Sequence, residues 1–123
     1  MRICLVNDEM IIAKVLRDFL LDLGHEVIYV VPACELLGSL EQEVDLIIGE
    51  FHMTEGDTIA MLNDIHKRHS EITVIIITDD GPTLSTDEAI SYGVCGYLHK
   101  PIRFSELDFL LAQAAKAQTR GSG

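Results

Sequence analysis

The sequence predicts an α/β domain: a parallel sheet with helices on both faces. Two observations carry that prediction. Short apolar runs recur at Ile3–Val6, Val27–Val31, Leu46–Ile48 and Val74–Ile77, with a weaker one at Val94–Leu98. The first four are rich in Val and Ile and continuous rather than alternating, as expected for strands covered on both sides. Segments of helical length separate them, and strict β-α alternation implies right-handed crossovers between parallel neighbours.

In order along the chain, Ile3–Val6 runs into the polar trio Asn7, Asp8 and Glu9. Ile12, Val15, Leu16, Phe19, Leu20 and Leu23 then follow i, i+3, i+4, i+7 spacing, and Gly24 stops that helix. After Val27–Val31, Ala33–Leu40 has helical length. Leu46–Ile48 leads to Gly49 and Glu50, a carboxylate at the exit of a hydrophobic strand. Thr58–His69 and Thr83–Tyr92 are the next helical segments, on either side of Val74–Ile77 and its exit residues Thr78, Asp79 and Asp80. Val94–Leu98 exits through His99, Lys100 and Pro101. Leu107, Leu110, Leu111, Ala114 and Ala115 form the last amphipathic stripe, behind Ser105 as N-cap. Residues 1–118 read as one domain, and Thr119–Gly123 as a linker or an artificial tail.

Composition narrows the function. With 48% hydrophobic and 24% charged residues the chain is too apolar for disorder. At 123 residues it buries roughly two-thirds of its unfolded surface. Twenty acids against nine bases give a net charge of −11, which repels phosphate backbones and anionic membrane. Direct nucleic-acid binding and membrane docking by this domain are therefore not expected. Cys4, Cys34 and Cys95 are odd in number and lack a CxxC pair, so they read as reduced structural thiols. The apolar run at the N-terminus is too short for a signal peptide, and nothing later approaches a membrane span; the expected location is the cytoplasm. His66 and His69 have helical spacing but read as a solvated face.

In doubly wound folds ligands gather beyond the carboxyl ends of the strands. Here those ends bring several carboxylates, a hydroxyl and a lysine together. Such acids bind Mg²⁺ through one or two carboxylates, with water completing the octahedron. A lysine and a hydroxyl opposite them would stabilise phosphoryl oxygens. No P-loop or GxGxxG is present, so nucleotide binding has little support.

At these residues the chain resembles the receiver domains of two-component response regulators, over residues 2 to 116. "ICLVNDE" resembles their first strand and acidic pair, and "VDLIIGEFHM" the strand that carries the phosphoacceptor aspartate. "VIIIT" is similar to the fourth strand with its hydroxyl, and "GYLHKP" to the fifth with its switch aromatic and lysine. The resemblance implies a flavodoxin-like (βα)5 three-layer sandwich with a five-stranded parallel sheet in the order 2-1-3-4-5. Position by position, it implies that Glu50 takes the phosphoacceptor place and that Asn7, Asp8 and Glu50 form the acidic pocket. Thr78 and Tyr97 fall on the switch pair and Lys100 on the phosphate-binding lysine. The metal ligands would be Asp8, Glu50 and the backbone carbonyl of His52.

The departures lie at the chemistry. Asn7 and Glu50 replace aspartates, Thr54 stands where proline is usual, and "TEGDT" shifts its glycine to Gly56, leaving Thr58 where glycine is common. Glutamate carries its carboxylate about 1.5 Å further than aspartate, out of place for in-line attack, where geometry tolerates little error. The extra reach also moves negative charge toward Thr78 and Lys100, in partial imitation of a phosphoryl group. Two carboxylates about 4 Å apart repel by roughly 4 kcal/mol at an effective dielectric of 20, so Asn7 lowers the need for a cation. Mg²⁺ binding is expected to be weak or absent.

The expected function is an atypical receiver, not an enzyme, working as a protein-interaction module through the fourth helix, fifth strand and fifth helix of the pattern. The resemblance implies partners among effector domains, histidine kinases and other receivers, a second copy of the chain included. An active receiver that accepts phosphate slowly or at another residue, with Mg²⁺, is the alternative. A small flavodoxin-like enzyme is a third reading; it needs a cofactor loop or an acid/base pair with a nucleophile, and the sequence shows neither.

Overall fold

The computed structural model describes residues 1–6, 10–31, 44–50, 56–78 and 91–122. Its elements are β1 (Arg2–Val6), α1 (Met10–Asp22), β2 (Glu26–Val31), β3 (Leu46–Glu50), α2 (Gly56–Arg68), β4 (Thr73–Thr78), β5 (Val94–His99) and α3 (Phe104–Ser122). Each expected strand is present, longer by one or two residues. The helix expected at Ala33–Leu40 and nearly all of that at Thr83–Tyr92 lie outside the described residues, as does Cys34. Thus α3 is the fifth helix of the sequence pattern.

The strands form one parallel sheet in the order β2-β1-β3-β4-β5, the order that the resemblance implies. The continuous apolar runs divide between two cores by residue parity, because successive side chains of a strand point to opposite faces. Ile3, Leu5, Leu46, Ile48, Ile75 and Ile77 pack with Leu16 and Leu20 of α1 and Leu107, Leu111 and Ala114 of α3. Cys4, Val6, Ile47, Val74 and Ile76 pack with Leu62 and Ile65 of α2. Two cores, one on each face, make the three layers. Burial pushes the Cys4 thiol up to about 11, and burial does the same for Cys95. Both are protonated and poorly nucleophilic near neutrality.

Helix α1 ends as its sequence predicts. Gly24 takes φ 88°, and its N–H donates to the Leu21 carbonyl at 3.0 Å while that of His25 reaches Leu20 at 3.1 Å. That pair of bonds is a Schellman cap, whose left-handed residue is usually glycine. The buried stripe of α1 differs from the expected one. Ala13, Leu16 and Leu20 are buried, whereas Val15 and Leu23 are 48% and 44% exposed. A small residue, Ala13, is part of the buried face, and Val15 turns outward. In α3 the backbone of Arg103, not Ser105, starts the helix, since its carbonyl accepts from Glu106 and Leu107 at 3.1 Å. Ser105 therefore lies within the first turn, and Ala115 is exposed rather than part of the buried stripe. The helix continues to Ser122, so Thr119–Ser122 extend its backbone instead of departing from it.

At the opposite end of the sheet from the strand exits, the amino group of Met1 lies 3.1 Å from His25 Nδ1. Desolvation and, second, the adjacent ammonium lower the His25 pKa below its usual value. A histidine depressed in the folded state binds fewer protons than in the unfolded state, so stability falls as pH drops through the unfolded pKa near 6.5. Thermal melts from pH 7.5 to 5 are expected to show this decline, and His25→Gln to reduce its slope.

Candidate functional site

Glu50 is the last residue of β3 and so belongs to the strand rather than to the loop that follows. Its parity is that of Leu46 and Ile48, so it continues the row that faces α1 and α3. Sheet pairing sets Glu50 beside Ile77 of β4, and Thr78 beside His99 of β5. Lys100 follows directly, and its N–H donates to the Thr78 carbonyl at 3.2 Å, tying the exits of β4 and β5 together. The next peptide bond, Lys100–Pro101, is cis.

Strands β3 and β5 flank β4, so the backbones of Glu50 and Lys100 stand about 10 Å apart at the usual strand spacing. Their side chains close that gap over the end of β4. Lys100 Nζ donates to Glu50 Oε1 in an ion pair whose side chains are only 20% and 17% exposed. Thr78, at 6% exposure, is the buried polar residue among the described ones. Its backbone joins the site through the Lys100 N–H, while its parity is that of Val74 and Ile76 on the α2 side of the sheet. The structure thus brings together three of the residues singled out from the sequence: Glu50, Thr78 and Lys100. Tyr97 is half-buried in β5, three residues upstream of Lys100, and packs against the α2-side core. Asn7, Asp8 and His52 fall outside the described residues, as do Thr54, Asp79 and Asp80. Among the described residues no group of three or more His, Cys, Asp or Glu side chains is placed to hold a metal ion.

A charged pair this shielded is asymmetric toward loss of its members. Lys100→Met would strand a carboxylate on a short side chain, whereas Glu50→Gln leaves an ammonium on a stem long enough to reach water. Lys100→Met is expected to cost about 1–2 kcal/mol and Glu50→Gln about half that, read from urea unfolding midpoints. Equal losses would mean that the pair is solvated in solution.

Two features went unread in the sequence. Gly96 in β5 lies so close to α3 that a Cβ there would come 2.4 Å from Leu110 Cδ2. The missing side chain lets α3 lie against β5; an isolated glycine in a strand was the available signal. His66, expected on a solvated face, is half-buried, and its Nδ1 would lie 3.2 Å from a Cβ at Gly93. The turn before β5 comes up under the last turn of α2 and covers the ring. His69 is likewise half-buried, 3.9 Å from Glu71. His99 is exposed.

Among the described residues, two concave surfaces bear on function. One, of about 200 Å³, is apolar and lies between α1 and the start of α3, lined by Ile11, Ile12, Val15, Leu16, Ile102 and Phe104. Phe104 also stacks on Phe19, with ring centroids 4.6 Å apart. The other, of about 280 Å³, lies between β5 and α3, lined by Tyr97, Ser105, Glu106, Phe109 and Leu110.

Comparison with known proteins agrees with this architecture. The family model described as "Response regulator receiver domain" matches residues 3–112. The rice (Oryza sativa) two-component response regulator ORR23 is 31% identical over 110 residues, 87% of this chain but 16% of its own length. The transcriptional regulatory protein ZraR of Salmonella typhimurium is 30% identical over 122 residues, 98% of this chain and 27% of its own. The chain therefore spans a minor part of these relatives. Among solved structures, the signal receiver domain of an HD domain-containing protein from Pseudomonas fluorescens Pf-5 superposes with a TM-score of 0.81 at 30% identity, covering 97% of each chain. A CheY-like receiver from Methanospirillum hungatei, at 19% identity and TM-score 0.80, shares the fold. No helix among the described residues is long and apolar enough to cross a membrane. With its sheet order, its strand-end residues and a family match across most of its length, the chain belongs to the response regulator receiver domains of two-component signalling.

Proposed function

We propose that this is an atypical receiver in which Glu50 stands at the phosphoacceptor position and is not phosphorylated in the ordinary way. The observation that supports this reading is the Glu50–Lys100 pair across the end of β4. A glutamate long enough to reach the lysine holds its carboxylate where a phosphoryl oxygen would be held, and away from the place of an attacking nucleophile. Lys100 already balances that charge. With Asn7 in place of a second acid, Asp8, Glu50 and the His52 carbonyl make a poor donor set for Mg²⁺, which prefers a carboxylate-rich, octahedral site. No step of the domain's action is assigned to the metal.

On this reading the domain is an interaction module, not an enzyme. Its output face comprises Tyr97, β5 and α3 with the fourth helix of the pattern, and its partners are an effector domain, a kinase or another receiver. The Glu50 charge biases Thr78 and Tyr97 toward one arrangement, and partner binding selects among arrangements of differing affinity. The test is direct. Incubation of the protein with a small phosphodonor and Mg²⁺ should leave its intact mass unchanged. Stoichiometric gain of one phosphoryl group would show an active receiver and overturn the reading.

A further inference from the structure

The cavity between β5 and α3 has a composition that selects one kind of visitor. Glu106 and Phe109 are three residues apart on α3, so their side chains are neighbours on the helix surface. Tyr97, whose ring packs on the α2-side core, contributes to the lining from the edge strand β5, Ser105 adds a hydroxyl, and the cavity of about 280 Å³ is roomy enough for a long side chain. An open aromatic ring and a carboxylate side by side at one concavity favour a cation: the ring face attracts it electrostatically and the carboxylate accepts its N–H groups. Phe109 is 62% exposed, so its ring is open to a visitor without rearrangement of the core. The cavity depends on Gly96, because α3 lies near enough to β5 for Leu110 to form a wall only where no Cβ intervenes. The chain's net charge of −11 favours a basic partner over a second copy of itself.

We infer that this cavity receives an arginine side chain from a protein partner, the guanidinium lying against Phe109 and bonding to Glu106, at the edge where Tyr97 joins the lining. Arginine suits it better than lysine, since its planar, weakly hydrated group stacks on rings while its edge donates hydrogen bonds. The inference rests on the proposed output role of the Tyr97 face and names the partner's chemistry there.

The probe is a short acetylated leucine–arginine–leucine peptide amide, titrated into the ¹⁵N-labelled full chain and followed by NMR. Amide shifts should concentrate at Tyr97, Ser105, Glu106 and Phe109. A counterpart with citrulline, which keeps the shape and removes the charge, should bind about tenfold more weakly. Glu106→Gln and Phe109→Ala should each weaken the arginine peptide by about threefold, and Phe109→Trp should restore or improve it. Equal binding of the citrulline peptide, or shifts confined to the groove between α1 and α3, would overturn the inference. Phosphoryl gain at Glu50 would instead overturn the proposed function and leave this titration as it stands, so the two failures are separable.

Discussion

Glu50→Asp combined with Asn7→Asp is expected to give a chain that gains a single phosphoryl group from a phosphodonor, where the unaltered chain is expected to gain none. The shorter side chain withdraws its carboxylate by about 1.5 Å, toward the place from which an oxygen attacks phosphorus in line with the departing group. A new P–O bond to the aspartate then forms as the donor's P–O or P–N bond breaks. The second substitution restores a carboxylate, and with it the charge that draws Mg²⁺. Displacements of this size are worth roughly a hundredfold in rate, so Glu50→Asp alone should recover part of the effect and Asn7→Asp alone almost none. Intact-mass spectrometry after a fixed incubation reads all four proteins. If the double variant remains unmodified while folded, the loss of chemistry lies elsewhere than in these two positions.

Leu16→Ala should cost about 3 kcal/mol of stability, whereas Val15→Ala should change it by less than about 0.5 kcal/mol. The sequence treats the two as equals on one apolar stripe. In the structure Leu16 is 2% exposed within the core that α1 shares with α3, and Val15 is 48% exposed. Truncating the first leaves a cavity among close-packed neighbours. Truncating the second removes half-solvated surface and gains helix propensity. Urea denaturation of both variants measures the difference directly, and comparable losses would place the helix in a different rotation.

That contrast shows where sequence stops being sufficient. The strands were legible nearly to the residue because runs of Val and Ile between polar exits leave little freedom. The end of α1 was legible because Gly24 supplies a conformation that side chains resist. The rotation of α1 was not, since its buried face includes Ala13, and a small residue contributes little to an apolar pattern. At the site, Glu50, Thr78 and Lys100 could be gathered at one sheet edge from topology and resemblance. Their pairing across β4 could not, because it depends on the summed reach of two side chains over an intervening strand. The fit of Leu110 over Gly96 was invisible for a related reason: it links residues whose elements meet only after folding.

The division of each strand between two hydrophobic cores leaves the sheet exposed to slippage. In a sheet with one wet face, a slip by one residue turns apolar side chains into water and is heavily penalised. Here a slip of β3 would exchange Ile47 for its neighbours Leu46 and Ile48, and each core would still receive aliphatic groups of similar volume. Hydrophobicity alone is nearly blind to that error. Polar ends supply the missing check. A slipped β3 would turn Glu50 to the opposite face, away from Lys100, and leave its carboxylate without the cation that balances it. The ion pair at the strand exits therefore also proofreads the alignment of the strands that carry it.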